Sequence, residues 1–256
     1  MRARSALFDV YGDLLRTRGN QAPVADLVRL LDPVGISAPA VRTAISRIVG
    51  EGWLEPVQIG NGRGYRATER GIARLEAARQ RIYRLRDRAW DGRWRLVLLD
   101  PIRDRRLRDR VHTTLGWMGL AELSDGLWVS PWPQPDLPAY LEREGASAAH
   151  TEAGSFTPAE RPVAGWDLPA LGREYAAWLA RVRDDVPPES GDPDRDEFAQ
   201  RFHLVHEWRK FLFRDPGLPA ELLPADFPGF EAATHFHAEA DRLRPGAERF
   251  VDRILS

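Results

Sequence analysis

The chain has 256 residues, a formal net charge of −1 at pH 7 and no cysteine. Its length exceeds the common domain size of about 100–150 residues, which favours two or three domains. The lack of cysteine excludes disulfides, thiolate catalysis and cysteine-ligated metal clusters. Because no apolar run approaches the ~20 residues of a membrane span and no signal-peptide pattern is present, we expect a cytoplasmic protein without a membrane segment.

The small net charge hides two regions of opposite sign. Residues 1–95 contain 18 arginines against 10 acidic residues, a balance of +8, and the remainder has a balance of −9. A basic N-terminal third on an acidic body suggests a head that binds a polyanion. Lys210 is the only lysine, so arginine is the general basic residue of the whole chain. The number of arginines alone is therefore not evidence of nucleic-acid binding.

Two amphipathic helices open the chain. Apolar residues at helical spacing predict a first helix over residues 7–15, ended by Gly19, and a second over residues 24–31, closed by Pro33 and Gly35. A third helix is predicted after Ser37, which is a good N-cap. These three helices resemble the helical part of a small DNA-binding domain.

The third helix has two chemically different faces. Val41, Ile45 and Ile48 form an apolar stripe, whereas the opposite face carries two arginines and two hydroxyl groups. Arginine binds guanine edges or phosphate, and hydroxyl groups bond to either. This pattern is typical of a recognition helix that enters the major groove.

A predicted β-hairpin follows, with strands over residues 53–59 and 65–67 and a glycine-rich turn over residues 61–64. Three helices and a hairpin form the order of a winged helix-turn-helix, so we predict double-stranded operator DNA as the partner. The alternative is a small helical domain with a solvated basic face. The predicted DNA-binding residues are Ser37, Arg42, Thr43, Ser46, Arg47, Arg63 and Arg66.

The rest of the chain predicts two further domains and an α+β fold class. An arginine-rich helix over residues 68–88 leads to a middle unit whose βαββαβ order predicts a ferredoxin-like domain, and such units often form two-fold dimers. An all-helical unit follows, interrupted by a polar loop over residues 186–196. The predicted segments are a winged-helix domain (1–67), a connecting helix (68–92), a ferredoxin-like dimerisation domain (93–165) and a helical effector or regulatory domain (166–256).

Four blocks of the sequence resemble the PaaX-like transcriptional regulators, the repressors of phenylacetic acid degradation operons. The blocks are SALFDVYGD (5–13), VRTAISRIVGEGWL (41–54), GLWVSP (126–131) and FLFRDPGLPAELLP (211–224). They follow the order of the family over nearly the whole chain. The resemblance implies a homodimeric repressor of aromatic catabolism genes that is relieved by an aryl-CoA thioester such as phenylacetyl-CoA.

A CoA thioester effector needs cations for its phosphates and an apolar slot for its acyl group. Candidate cations are His206, Arg209 and Arg214, and candidate apolar walls are Trp208 and Phe211. The alternative is that the two aromatic residues belong to the core and the charged groups are solvated or paired. No cofactor is expected besides this effector.

Two catalytic alternatives use other residues. Asp100 follows the first strand of the middle unit, a position similar to that of a metal-binding Asp in the small ferredoxin-like nuclease subunit of CRISPR adaptation. His203 and His206 resemble part of a zinc motif, but helical zinc motifs place their histidines four residues apart with a glutamate between them. One carboxylate per protomer is also a sparse magnesium site. We therefore predict a binding protein without a metal, and not a nuclease, a metallohydrolase or another enzyme.

Overall fold

A computed structural model describes residues 1–60, 62–82, 89–185 and 189–256. The chain has the predicted mixed α+β fold and forms two compact units. Unit 1 consists of the described parts of Met1–Arg84, Trp178–Leu212 and Ala232–Ser256, and unit 2 of the described parts of Leu85–Ala177 and Phe213–Glu231. Neither unit is one continuous stretch of chain, and the four segments predicted from the sequence remain a prediction.

The N-terminal part of unit 1 has the order of a winged helix. Helix α1 (Ala3–Asp9) continues as a π-helical turn (Val10–Leu14), and a 3₁₀ turn (Arg16–Arg18) follows. The other elements are β1 (Gln21–Pro23), α2 (Val24–Leu31), a 3₁₀ turn (Asp32–Val34), α3 (Ala38–Gly50), β2 (Leu54–Ile59), β3 (Gly62–Ala67) and α4 (Glu69–Ile82). The helix predicted over residues 68–88 is therefore present as α4, and residues 83–88 of that prediction lie outside the described residues.

The wing is a three-stranded antiparallel sheet in the order β1-β3-β2. Ile59 pairs with Gly62, so strand β3 already begins at Gly62, and the turn predicted over residues 61–64 was wrong. Two-residue hairpins favour positive φ in the turn, and Gly60 supplies it with φ +55°. Residue 61, the Asn of the predicted turn, lies outside the described residues. Gly62 and Gly64 are therefore strand residues.

Unit 2 contains the ferredoxin-like domain that the sequence predicts. Its elements are β4 (Trp94–Leu99), α5 (Arg105–Trp117), β5 (Ala121–Ser124), β6 (Leu127–Ser130), α6 (Leu137–Glu144) and β7 (Ala148–Ala153). The strands form an antiparallel sheet in the order β5-β6-β4-β7. One face of this sheet packs on α5 and α6 through Val97, Val111 and Leu141.

The remaining helices are α7 (Leu168–Asp184), α8 (Pro193–Trp208) and α9 (Gly229–Leu255). The polar loop predicted over residues 186–196 was wrong for residues 193–196, because α8 begins at Pro193. Asp192 caps this helix by accepting a hydrogen bond from the Arg195 backbone N–H at 3.3 Å, and proline is favoured in the first turn. Residues 186–188 of that loop lie outside the described residues. No helix among the described residues is long and apolar enough to cross a membrane.

The core of unit 1 joins the winged helix to the C-terminal helices. Phe198 and Phe202 of α8 and Phe250 of α9 are buried in the same cluster as Leu7 and Ile45. Burial of one large apolar side chain stabilises a fold by roughly 1.5–3 kcal/mol, so this shared core is a substantial connection. The winged helix is therefore not an independent domain, because α8 and the C-terminal part of α9 complete its core.

Candidate DNA-binding surface

Helix α3 separates its apolar and polar residues as the sequence predicts. Val41, Ile45 and Ile48 are buried, with exposures of 0%, 2% and 1%. The five predicted contact residues of the helix and its N-cap are all exposed: Ser37, Arg42, Thr43, Ser46 and Arg47. The buried stripe fixes the helix against the core, so the polar face is presented rigidly to the outside.

The polar groups of this face have bonding capacity left for a ligand. No ion pair or hydrogen bond engages the Arg42 or Arg47 guanidinium among the described residues. Thr43 Oγ1 donates to the Pro39 carbonyl at 2.9 Å and keeps its lone pairs for another donor. Ser37 has the extended backbone of an N-cap, with φ −68° and ψ 149°, but its side chain makes no capping hydrogen bond. Its hydroxyl is thus available as a donor to phosphate.

The two arginines of the wing differ in their bonding. The Arg66 guanidinium donates from Nε and Nη2 to Glu55 Oε1 at 3.0 and 2.7 Å, across the β2–β3 pair. The Arg63 guanidinium carbon lies 5.3 Å from the centroid of the Tyr65 ring. Both side chains are exposed. Arg63 therefore has a full positive charge to offer to DNA, whereas the charge of Arg66 is largely compensated by Glu55.

A buried ion-pair cluster joins α1 to the C-terminal helices. His206 Nδ1 lies 2.6 Å from Asp9 Oδ2, and Arg209 Nη1 lies 2.7 Å from Asp9 Oδ1. Arg209 also donates to Ser5 Oγ. Burial raises the pKa of the Asp9 carboxyl above its ordinary value, although the His206 hydrogen bond and the Arg209 charge act in the opposite direction. The cluster connects the end of α8 to the first helix of the winged helix.

The five predicted effector residues occupy three different environments. Trp208 and Phe211 are each 7% exposed and belong to an aromatic cluster, in which the Trp208 and Phe236 rings stack with centroids 4.6 Å apart. His206 and Arg209 are bonded to Asp9. Arg214 belongs to unit 2, where its Nη1 lies 2.6 Å from Glu174 Oε2. Their role in effector binding stays a prediction.

The residues of the catalytic alternatives are bonded elsewhere in the fold. Ser147 Oγ donates to Asp100 Oδ2 at 2.5 Å. His206 bonds to Asp9, so it does not point with His203 at a common ligand. Within the described ranges, no group of three His, Cys, Asp or Glu side chains is arranged to hold a metal ion.

The two acidic residues of α1 and its π-helical extension, Asp9 and Asp13, were not among the site residues predicted from the sequence. Asp9 is 6% exposed, and the Asp13 carboxylate pairs with the nearly buried Arg201. Their i, i+4 spacing on an otherwise apolar helix was a usable signal, because buried carboxylates require partners. The sequence offered no way to identify those partners, which lie on α8 and directly after it.

Three family models match the chain. They are described as PaaX-like protein (residues 2–71), PaaX protein central Cas2-like domain (87–158) and PaaX-like protein C-terminal domain (166–253). The transcriptional repressor PaaX of Escherichia coli (strain K12) is 30% identical over 263 residues, which cover 96% of this chain and 82% of that protein. Among solved structures, the uncharacterized protein Rv0674 from Mycobacterium tuberculosis is 27% identical with a TM-score of 0.68, and the match covers 97% of this chain and 98% of that one.

Proposed function

The chain belongs to the PaaX family of transcriptional repressors, and on that basis we propose that it represses a phenylacetate-type catabolic operon by binding operator DNA as a homodimer. The observation that carries the proposal is the exposed polar face of α3, on which Arg42 and Arg47 have no partner among the described residues. The protein acts by binding and not by catalysis, and it works in the cytoplasm.

In the proposed complex, α3 enters the major groove and the wing contacts the adjacent backbone. Arg42 and Arg47 contact guanine edges, where a bidentate arginine discriminates against other bases. Ser37 contacts phosphate from the start of the helix, while Thr43 and Ser46 supply hydroxyl groups beside the arginines. Arg63 reaches phosphate from the wing, and Arg66 joins it only when Glu55 releases it.

Homodimerisation through the ferredoxin-like unit is part of the same proposal. A two-fold dimer presents two recognition helices to two half-sites, so the operator is expected to be palindromic. Once one winged helix has bound its half-site, binding of the second is intramolecular. The dimer therefore binds the whole operator more tightly than a single winged helix binds one half-site.

An aryl-CoA thioester such as phenylacetyl-CoA relieves the repression in this proposal. In this proposal the effector phosphate competes with Asp9 for Arg209. The Arg209 guanidinium lies 2.7 Å from Asp9 of α1, and a phosphate is an alternative anion for it. Loss of that contact loosens α8 from the first helix of the head. A coupling free energy of about 1–3 kcal/mol between effector and operator is enough for induction. His206, Trp208, Phe211 and Arg214 complete the proposed effector set.

The test is operator binding by wild type, Arg42→Ala and Arg47→Ala, measured by fluorescence anisotropy on promoter DNA over a salt series. Each substitution is expected to weaken binding by about 1–3 kcal/mol, or roughly 5- to 150-fold, and to relax specificity at one base pair. Arg29→Ala on the exposed side of α2 is the matched control. Unchanged operator affinity in both α3 variants would overturn the recognition-helix assignment.

The effector part of the proposal has a separate readout. Saturating phenylacetyl-CoA is expected to release the protein from the operator, whereas free phenylacetate is not. Operator affinity that stays unchanged in the presence of the thioester would remove the effector from the proposal and leave the repressor standing.

A further inference from the structure

Unit 1 contains a cavity of about 450 Å³ between α8, α9 and the end of α7. Pro33, in the turn between α2 and α3, forms part of its wall, and Val182, Ala199, Leu204 and Leu243 supply apolar surface. This volume lies within the range of about 300–1,000 Å³ that is typical of small-molecule sites. None of the five predicted effector residues lines the cavity.

The cavity is acidic. Its described lining includes five carboxylates against two guanidiniums, a formal balance of −3. Desolvation and the nearby His206 lower the pKa of the His203 side chain below its usual value of 6.5, so this imidazole adds no positive charge at pH 7. An anion such as a CoA phosphate therefore meets a field of the wrong sign here.

The guanidiniums that line the cavity are already bonded to carboxylates. Arg242 Nη2 lies 2.8 Å from Glu239 Oε2, and Arg195 Nη2 lies 3.0 Å from Asp32 Oδ2 in the turn before α3. Asp185, by contrast, has no hydrogen bond or ion pair within the described part of the chain. Glu207 is also paired, because Lys210 Nζ lies 2.5 Å from its Oε1 and Arg181 Nη2 lies 3.2 Å from its Oε2. The carboxylate of Asp185 is therefore the negative charge that a ligand can match, and the group that matches it is a cation.

We propose that this cavity binds a small organic ammonium with an apolar portion, and that its occupancy changes operator affinity. The apolar walls take the carbon skeleton, and Asp185 pairs with the ammonium group. Pro33 and the Arg195–Asp32 pair connect the wall to the turn that precedes α3. A ligand that displaces this turn therefore shifts the N-terminal end of the recognition helix. Only this second, coupled effect rests on the proposed function.

Isothermal titration calorimetry of the full chain tests the site with benzylammonium as the probe. Benzyl alcohol and benzoate are the neutral and anionic controls of matched size. Saturable binding of one benzylammonium per chain is expected, with binding at least tenfold weaker for the alcohol and absent for benzoate. A failure of all three probes to saturate, or equal binding of benzoate, would overturn the proposal.

Variants locate the site. Asp185→Asn removes the proposed counter-ion, and His203→Trp fills the cavity from an exposed position without touching the core, so both variants are expected to fold and to bind benzylammonium at least tenfold more weakly. Glu221→Gln, an exposed carboxylate of unit 2, is the matched control and is expected to bind normally. Wild-type affinity in both cavity variants would place the bound probe elsewhere and overturn the site.

Operator binding separates the two levels of the inference. Saturating benzylammonium is expected to change the operator Kd by about fivefold or more, and this change is expected to disappear in His203→Trp. Normal cation binding with an unaffected operator Kd would overturn the coupling. Wild-type protein that binds the cation but no promoter DNA would contradict the proposed function and leave the ammonium site intact.

Discussion

Arg201 and Asp13 lie 188 residues apart in the sequence and form a bidentate ion pair, with nitrogen–oxygen distances of 2.9 and 2.8 Å. Arg201 is only 3% exposed, and its guanidinium also donates to the Ala240 carbonyl. One side chain on α8 therefore joins the π-helical turn after α1 to α9. The π-helical turn of the winged helix therefore receives an ion-pair partner for its Asp13 carboxylate from a C-terminal helix.

Replacement of Arg201 by methionine tests that dependence. The substitution leaves the partly buried Asp13 carboxylate without the Arg201 cation, so we expect the free energy of unfolding to fall by about 3–5 kcal/mol. Denaturant unfolding measures the change. Arg244→Met, which breaks the exposed pair with Asp241, is the control and is expected to cost at most about 1 kcal/mol. A loss in Arg201→Met no larger than in the control would contradict the structural role given to the pair.

Two charged side chains of the wing are expected to affect operator binding in opposite directions. Arg63→Ala is expected to reduce the slope of log affinity against log salt by about 1, the contribution of one phosphate contact, because no acidic side chain of the described residues pairs with Arg63. Glu55→Gln is expected to strengthen operator binding, since it removes a repelling carboxylate and releases Arg66. Anisotropy titrations at several salt concentrations measure both effects. Glu76→Gln on α4 is the control, and a weaker operator complex in Glu55→Gln would refute this account of the wing.

Features that depend on neighbouring residues in the sequence were predictable, whereas features that depend on contacts between distant residues were not. The faces of α3 were predictable because its apolar residues, including Val41 and Ile45, recur with the 3.6-residue period of a helix. Strand β1 was overlooked because three residues with a proline have little local preference, and pairing with β3 creates the strand. The surroundings of Trp208 were equally inaccessible, because aromatic residues at helical spacing look the same in a core and in a ligand pocket.

The acidic cavity illustrates the same limit. Asp185 follows the end of α7, whereas His203 lies in α8 and Glu239 in α9, and no spacing along the chain relates them. The family resemblance directed attention to cations at residues 206–214, whereas the cavity lies beside carboxylates. Such a site emerges only after the helices have packed, because its field is the sum of side chains that are far apart in the sequence.

The partly buried His237 is expected to contribute to the pH dependence of the free energy of unfolding. Its side chain is partly buried, and desolvation lowers the pKa of this imidazole below the ordinary 6.5, although Asp241 acts in the opposite direction. The unfolded chain therefore takes up this proton at a higher pH than the folded chain. The free energy of unfolding accordingly decreases as the pH falls through about 6.5, and this contribution levels off below the folded pKa.

His237→Gln is therefore expected to flatten the stability curve between about pH 7 and pH 5, relative to wild type. Denaturant unfolding at half-unit pH steps measures the difference between the two curves. His150→Gln, at an exposed position of β7, is the control and is expected to leave the curve parallel to that of wild type. Parallel curves for wild type and His237→Gln would show that burial does not perturb this imidazole.

Gly64 in β3 is a position where the wing has no room for a methyl group. A Cβ there would lie 2.4 Å from Ile59 Cδ1 and 2.9 Å from the Ala22 carbonyl oxygen. The Ile59 side chain can rotate away, but the Ala22 oxygen belongs to the neighbouring strand, so relief requires β1 and β3 to separate. We expect Gly64→Ala to reduce the free energy of unfolding by about 1–3 kcal/mol and to weaken operator binding by moving the wing.

Gly62→Ala in the same strand is the matched control for that substitution. Its Cβ would meet only the Ile59 carbonyl oxygen, at the ordinary distance of 3.8 Å, so stability is expected to stay within about 0.5 kcal/mol of wild type. Adding Ile59→Ala to Gly64→Ala removes both clashing side-chain atoms, Ile59 Cδ1 and Cγ1, but not the Ala22 oxygen. The second substitution should therefore restore neither stability nor operator affinity fully. Complete recovery in the double variant would mean that the side chain of Ile59, and not the close approach of β1 to β3, is the reason that position 64 is glycine.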